Sequence, residues 1–196
     1  MSEADEERFS AIYESTRSKI VAYVLRRTAC REDAADVVAE TFEIAWRRLD
    51  DIPDSPDDVL WLYVTARYVL ANHHRRLRRG DDLTTRIAEG LGVAVQSEDP
   101  IDEDSLVALF CLRSLPEEDR ELLMLVTWDG LSGADAGRVL GCSPTAVRIR
   151  LHRARARLTT EISRMNAPQK QAMVGGHELV DSGDASRRVP EEVIET

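Results

Sequence analysis

Arginines are concentrated in two short segments of the chain, where their chemistry suits the phosphates and base edges of nucleic acid. Residues 143–165 contain six Arg and one acid, Glu161. Residues 67–79 contain five Arg and no acid. A guanidinium group can donate to both acceptors of a guanine edge, and it also pairs with backbone phosphate. Both segments are therefore candidate nucleic-acid contacts, although the whole chain of 196 residues has a net charge of −10.

The second basic segment belongs to a pattern of helix, glycine turn and capped helix over residues 132–158. Ser132 and Gly141 are suited to begin and end the first helix, and Ser143 followed by Pro144 is suited to begin the second. This order of elements is typical of a helix-turn-helix, whose second helix enters the major groove of DNA.

Helical spacing divides the second helix of this pattern into an apolar face and a polar face. The residues predicted to pack inward are Val147, Leu151, Ala154 and Leu158. The residues predicted to contact base edges in duplex DNA are Thr145, Arg148, Ile149, His152 and Arg153. The flanking residues predicted to contact phosphates are Arg150, Arg155 and Arg157. The alternative is a surface helix with a solvated arginine face.

The first basic segment forms the end of a helix predicted to start with Ser55 as its cap and Pro56 in its first turn. Aromatic side chains alternate there with arginines, a pattern that suits unstacked bases and a single-stranded backbone. The candidate contacts with single-stranded DNA are Trp61, Arg67, Tyr68, Asn72, Arg75 and Arg78. The alternative is that Trp61 and Tyr68 belong to the core.

Acidic residues form a stripe on an earlier helix. Its predicted apolar face consists of Ala35, Val38, Phe42, Ala45, Trp46 and Leu49. Asp36, Glu40 and Glu43 lie about 130° away on the same helix, given a turn of roughly 100° per residue. The stripe is either a solvated face or a surface for a protein partner.

The periodicity along the chain predicts an all-α protein with two small helical domains. The first covers residues 5–80 and the second residues 105–165. Residues 81–104 are rich in acids and glycine, so we expect an acidic linker there. Residues 166–196 have weak periodicity and are expected to form a C-terminal tail.

Several classes of function lack support in the sequence. The three cysteines are far apart and form no Cys/His cluster, so neither a metal site nor a disulfide framework is predicted. No recognisable catalytic motif or cofactor loop is found, so we predict that the chain is not an enzyme and takes no cofactor. No apolar run is long enough to span a membrane, and the acidic N-terminus differs from a signal peptide, so a cytoplasmic location without membrane insertion is predicted.

Three stretches of the sequence resemble bacterial sigma factors of the extracytoplasmic-function (ECF) class. The first runs from Asp33 to Trp46 (DAADVVAETFEIAW), and the second from Trp61 to Arg79 (WLYVTAR followed by HHRRLRR). The third combines LPEEDRELL at residues 115–123 with GLS at 130–132 and SPTAVRIRLHRARARL at 143–158. Together they cover about residues 8–165, in the order and spacing of the family.

The resemblance implies that residues 5–80 are sigma region 2, a helical bundle, and that residues 105–165 are sigma region 4, a helix-turn-helix. Region 2 would bind the clamp of core RNA polymerase through the stripe of Asp36, Glu40 and Glu43 and would help melt the −10 promoter element. Region 4 would bind the polymerase flap and read the −35 element as duplex. The loop at residues 52–58 would hold a flipped −10 base.

The resemblance thus implies an alternative sigma factor, with core polymerase and promoter DNA as partners. Such factors are commonly held inactive by an anti-sigma factor, a further candidate partner. The main alternative is a stand-alone helix-turn-helix regulator, which leaves the first basic segment and the acidic stripe unexplained. Another is a sigma-like decoy that binds polymerase without reading promoters.

One departure from the family pattern concerns the first helix of the helix-turn-helix. Gly137 stands where the family has Ala. Because Gly inside a helix costs about 1 kcal/mol relative to Ala, this helix is either weak or packed very closely against its neighbour.

Overall fold

The computed structural model describes residues 2–80 and 103–174, and every regular element in these two ranges is helical. The α-helices are α1 (Glu3–Leu25), α2 (Arg31–Arg47), α3 (Asp58–Gly80), α4 (Glu103–Ser114), α5 (Glu117–Thr127), α6 (Gly133–Leu140) and α7 (Pro144–Val174). A short 3₁₀ turn, Leu49–Asp51, lies between α2 and α3. The predicted all-α fold is confirmed, whereas the linker predicted at 81–104 falls almost wholly outside the described residues.

Helices α1, α2 and α3 pack against one another as a three-helix bundle. Its apolar interior includes Ile20, Val24, Leu62 and Val69, each fully or almost fully buried. Aromatic rings add edge-to-face contacts, as between Tyr23 and Tyr63, whose centroids are 5.1 Å apart.

The predicted apolar face of α2 is confirmed in part, because Phe42, Ala45 and Leu49 are buried, but the buried face is shifted at its start. Ala35 is exposed and Val38 only half-buried, whereas Ala34, Val37 and Thr41 are buried. The polar residue in this face explains the error, because the Thr41 hydroxyl donates to the Val37 carbonyl at 2.7 Å and needs no partner outside the helix. When threonine is left out of the apolar pattern, the predicted buried face of α2 is therefore rotated around the helix relative to the face that the structure buries.

Helix α3 begins two residues later than the sequence predicted. Ser55 and Pro56 lie in the preceding turn, joined by a cis peptide bond. The Asp57 carbonyl accepts hydrogen bonds from the amides of Leu60 and Trp61, and the helix starts at Asp58. The prediction that Ser55 caps this helix was wrong.

The second bundle comprises α4 to α7, and most of its predicted boundaries are confirmed. The Ser132 hydroxyl accepts from the Asp135 amide at 3.1 Å, and it also donates to the Asp135 carboxylate at 2.7 Å. The hydroxyl bond and then Arg138 lower the pKa of Asp135. Gly141 ends α6 in the left-handed conformation, with φ of 66°, and Ser143 caps α7.

Helix α7 continues to Val174, past residue 165, where the sequence predicted a tail, and the rest of that predicted tail, residues 175–196, lies outside the described residues. Apolar periodicity is weak there, but residues 169–173 are Gln, Lys, Gln, Ala and Met. These residue types have high helix propensity, but Pro168 lies within the extension and disfavours a helix interior, so propensity alone does not account for it.

The two bundles contact each other through α6 and α3. Leu122 and Leu125 of α5, with Ala136 and Val139 of α6, are buried in the same apolar cluster as the interior of the first bundle. A smaller cluster, including Leu112, Leu115 and Ala154, lies inside the second bundle. No helix in the described ranges is long and apolar enough to cross a membrane.

Candidate nucleic-acid interface

The recognition face, by which we mean Thr145, Arg148, Ile149, His152 and Arg153 of α7, is exposed at all five positions. The opposite face is anchored, because Val147 and Ala154 are buried and Leu151 and Leu158 are partly buried. Ile149 keeps 46% of its surface exposed, although it is a large apolar residue. An apolar side chain in this position can contact the methyl group of thymine.

A close approach between α6 and the following turn fixes the position of the recognition face. Gly137 is buried, and a Cβ atom there would lie 3.0 Å from the Cys142 carbonyl oxygen and 3.0 Å from Cγ2 of Val147. Of the two sequence alternatives for Gly137, the structure therefore supports close packing. The glycine lets α6 approach the first turn of α7.

Two of the three predicted phosphate contacts have acidic partners in the second bundle. Arg150 pairs with Glu118 at 3.0 Å, and Arg157 pairs with Asp119, whose side chain is 8% exposed. Arg155 is exposed. A phosphate that approached α7 would have to compete with Glu118 and Asp119 for these arginines.

The single-strand face, by which we mean the predicted contacts on α3, is mostly exposed. Tyr68 is 63% exposed, and Arg67, Arg75 and Arg78 of the same helix are exposed as well. Asn72 is half-buried and accepts from Arg75 at 2.7 Å. Trp61 is half-buried against the core, with the Arg48 guanidinium 6.0 Å from its ring centroid, so it is less available to a base than the sequence suggested.

The acidic stripe divides into an open part and a paired part. Asp36 and Glu43 are exposed, and Glu43 lies 3.6 Å from Arg47 of its own helix. Glu40 is half-buried and accepts from Arg76 of α3 at 3.0 Å. Glu40 therefore joins the stripe to the helix that carries the single-strand face.

Sequence reasoning missed Arg8, which supports the loop before α3. Its guanidinium donates to the Leu49 carbonyl at 3.0 Å and to the Ile52 carbonyl at 2.7 Å, and it lies 3.7 Å from Asp54. These partners are more than 40 residues away along the chain, so local sequence carries no signal of the contact.

Models of two protein families match the two helical bundles that carry these faces. Sigma-70 region 2 matches residues 12–80, and sigma-70 region 4 matches residues 106–158. The ECF RNA polymerase sigma factor SigC of Mycobacterium tuberculosis is 32% identical over 134 residues, which are 65% of this chain and 69% of that protein. This chain belongs to the ECF family of sigma factors. The predicted family and the predicted regions 2 and 4 are thereby confirmed.

Other relatives of this sigma factor differ in length. The ECF sigma-E factor of Haemophilus influenzae is 27% identical over 172 residues, 82% of this chain and 90% of that protein. The probable sigma factor RfaY of Xanthomonas campestris is 27% identical over 163 residues, and there the match covers 80% of this chain but only 41% of that protein.

Solved structures share the fold of this sigma factor. The structure of CnrH in complex with the cytosolic domain of CnrY aligns with a TM-score of 0.56 and 24% identity, over 80% of this chain and 88% of that one. RpoE of Bartonella quintana, solved in complex with the anti-sigma factor NepR, aligns with a TM-score of 0.56 and 21% identity, over 83% of this chain and 98% of that one.

Proposed function

We propose that this ECF sigma factor directs RNA polymerase to a particular set of promoters through two separate DNA-reading faces. The recognition face of α7 supports this best, because its five side chains, all able to contact DNA, are exposed, while the opposite side of the helix packs against the second bundle. The catalysis of RNA synthesis would belong to the polymerase, and this chain would supply recognition and strand capture in the cytoplasm.

The recognition face would read the −35 element in duplex form. Arg148 and Arg153 would donate to guanine, while Thr145 and Ile149 would contact thymine methyl groups. Arg155 would contact phosphate directly, and Arg150 and Arg157 would do so by exchanging Glu118 and Asp119 for phosphate oxygens.

The single-strand face of α3 would capture the melted −10 element. Tyr68 would offer its exposed ring for base stacking, and Arg67, Arg75 and Arg78 would attract the backbone. Asn72 would contact a base edge, and Trp61 would take part through the portion of its ring that is accessible. The neighbouring loop at residues 52–58 would receive a flipped base.

Core polymerase would contact the exposed acids of α2. Asp36 and Glu43 can meet a basic surface of the clamp directly, whereas Glu40 would keep its bond to Arg76 and orient α3. Region 4 would contact the flap. An anti-sigma factor is a further proposed partner, because the related RpoE of Bartonella quintana was solved in complex with one.

Run-off transcription with purified core polymerase and a promoter library tests this function. We expect specific transcripts only when the chain is added. Tight binding to palindromic DNA without core polymerase, and no transcript, would instead identify a stand-alone regulator. Binding to core polymerase without any transcript would identify a decoy.

Loss of the Arg8 contacts is expected to weaken capture of the −10 strand. Arg8→Met keeps an unbranched apolar side chain and removes both hydrogen bonds to the loop. Each of these bonds stabilises the folded loop by about 0.5–1.5 kcal/mol. Fluorescence titration with single-stranded −10 DNA should show a roughly three- to tenfold lower affinity, while duplex −35 binding stays unchanged.

Arg17→Met is the matched control, because Arg17 is an exposed arginine of the same helix that contacts Tyr13 rather than the loop. Equal losses in the two variants, or a loss of −35 binding in Arg8→Met, would contradict a specific role for Arg8 in positioning the loop.

A further inference from the structure

Two large apolar side chains lie exposed on α4. Leu106 and Phe110 keep 46% and 62% of their surface exposed. They are four residues apart, so they lie next to each other on one face of the helix. The opposite face of α4 is packed, because Cys111, Leu112 and Leu115 are buried. Neighbouring apolar side chains that remain exposed on an anchored helix are typical of a surface that binds another segment.

Two arginines lie beside these apolar side chains. Arg113 follows Phe110 by three positions, which places it on the same side of α4. Arg120 of α5 donates to the main-chain carbonyl of Arg113 at 3.1 Å. Burial, and then the charge of Arg120, lower the pKa of Arg113, and no acid in the described ranges forms an ion pair with it. The α4 patch, by which we mean Leu106, Phe110, Arg113 and Arg120, therefore suits a ligand that is both apolar and acidic.

A segment of this chain has that composition. Residues 189–196 (VPEEVIET), which lie outside the described residues, contain three glutamates and no basic residue. Their apolar residues include Val189, Val193 and Ile194. Glutamates next to valine and isoleucine complement arginines next to leucine and phenylalanine, both in charge and in apolar character.

The course of α7 brings this segment within reach of the α4 patch. Leu115, near the end of α4, shares a buried cluster with Ala154 of α7. Cys111, one turn earlier, lies near Glu161, since burial, and then the Glu161 carboxylate, raise the pKa of its thiol. The two helices are therefore antiparallel. From the end of α7 back to Glu161 is about 20 Å, whereas residues 175–189 can span up to about 50 Å.

We propose that residues 189–196 bind the α4 patch of the same molecule. Their apolar side chains would pack against Leu106 and Phe110, and their glutamates would lie beside the two arginines. A short connection within one chain gives an effective concentration in the millimolar range, which favours this segment over a second copy. Any protein that uses this side of region 4 would have to displace the segment first.

NMR spectroscopy of the full chain tests this contact. Its amide spectrum is compared with that of a chain ending at Arg188. We expect the amide signals around Phe110 and Arg113 to differ between the two chains, and those of α1 and α2 to coincide. A synthetic peptide of residues 189–196, added to the shortened chain, should return the α4 signals toward their positions in the full chain.

Phe110→Ser should release the segment, so that the signals of residues 189–196 in the full chain match those of the free peptide. Loss of the buried ring should also weaken peptide binding to the shortened chain roughly tenfold. Arg113→Glu should release the segment as well, because its glutamates would then meet a like charge. Val64→Ser is the matched control, since Val64 is 46% exposed on α3 and should change neither measurement.

Identical α4 signals in the full and shortened chains would overturn the proposal. Shifts confined to Arg148 and Arg153 would show that the glutamates bind the recognition face instead. Shifts that disappear on dilution would show that the segment binds a second copy, and either result rejects the proposed contact. These measurements contain neither DNA nor polymerase, so their outcome is independent of whether the chain directs transcription.

Discussion

Gly137→Val is expected to abolish specific −35 binding and to destabilise region 4. The first new carbon would lie 3.0 Å from both the Cys142 carbonyl oxygen and the Val147 side chain, and the valine methyl groups would need still more room. Overpacking of this kind typically costs about 1–3 kcal/mol, and the β-branched residue adds strain within the helix. Because α7 would have to move away from α6, the recognition face would lose its register on the DNA.

Gly133→Ala provides a matched control in the same helix. Its new carbon would meet only the Val147 side chain at 3.7 Å, which is an ordinary van der Waals distance. The gain in helix propensity should leave stability unchanged or raise it by up to about 1 kcal/mol. Urea unfolding and binding to a duplex −35 site measure both effects. Equal behaviour of the two variants would show that Gly137 is not required for close approach.

The contrast between these glycines shows what the sequence could predict. Caps and turns are local, so Ser132, Gly141 and Ser143 were identified from residue type and spacing, and the structure confirms them. In the sequence, Gly137 was noticed only as a departure from the family pattern. The reason a glycine is needed there is the close approach of the Cys142 carbonyl, five residues away, and of the Val147 side chain on the next helix.

Long-range pairs were beyond the reach of sequence reasoning. Nothing in the local sequence distinguishes Arg8 of α1, or Arg27 in the turn after it, until folding brings them to Leu49 and Glu121. Thr41 was missed for a different, local reason: its hydroxyl donates to a carbonyl of its own helix, so a polar residue can be buried there. A local pattern predicts which face of a helix is apolar, but not which charged residues become desolvated on the other elements.

The charge distribution takes on a different meaning once the pairs are known. The net charge of −10 argues against DNA binding only if the charge is spread evenly, and it is not, because residues 67–79 and 143–165 carry an excess of arginines. In the structure, acids neutralise some arginines near the recognition face, as Glu118 does for Arg150 and Asp119 for Arg157. Non-specific binding to DNA should therefore be weak, since phosphate must displace these carboxylates, whereas base contacts from exposed arginines remain available.

Arg148→Ala is expected to relax preference at a single base pair of the −35 element. Arg148 is exposed on the recognition face, so its removal should change the free energy of unfolding by no more than about 0.5 kcal/mol. Loss of a bidentate contact to guanine should cost about 1–3 kcal/mol, which is roughly a 5- to 150-fold lower affinity for the preferred base pair. Binding to a complete set of single-position variants of the −35 site measures this effect.

Arg148→Lys separates the two roles that an arginine can have at this position. Lysine keeps the charge but lacks the planar fork, so it should retain the salt dependence of binding and still lose most of the discrimination. If Arg148 contacts phosphate instead, Arg148→Ala should weaken binding equally for all sequences and reduce the salt dependence, and Arg148→Lys should resemble the wild type. The base-reading role of α7 requires the first pattern, because a face that only contacted phosphate could not distinguish one promoter from another.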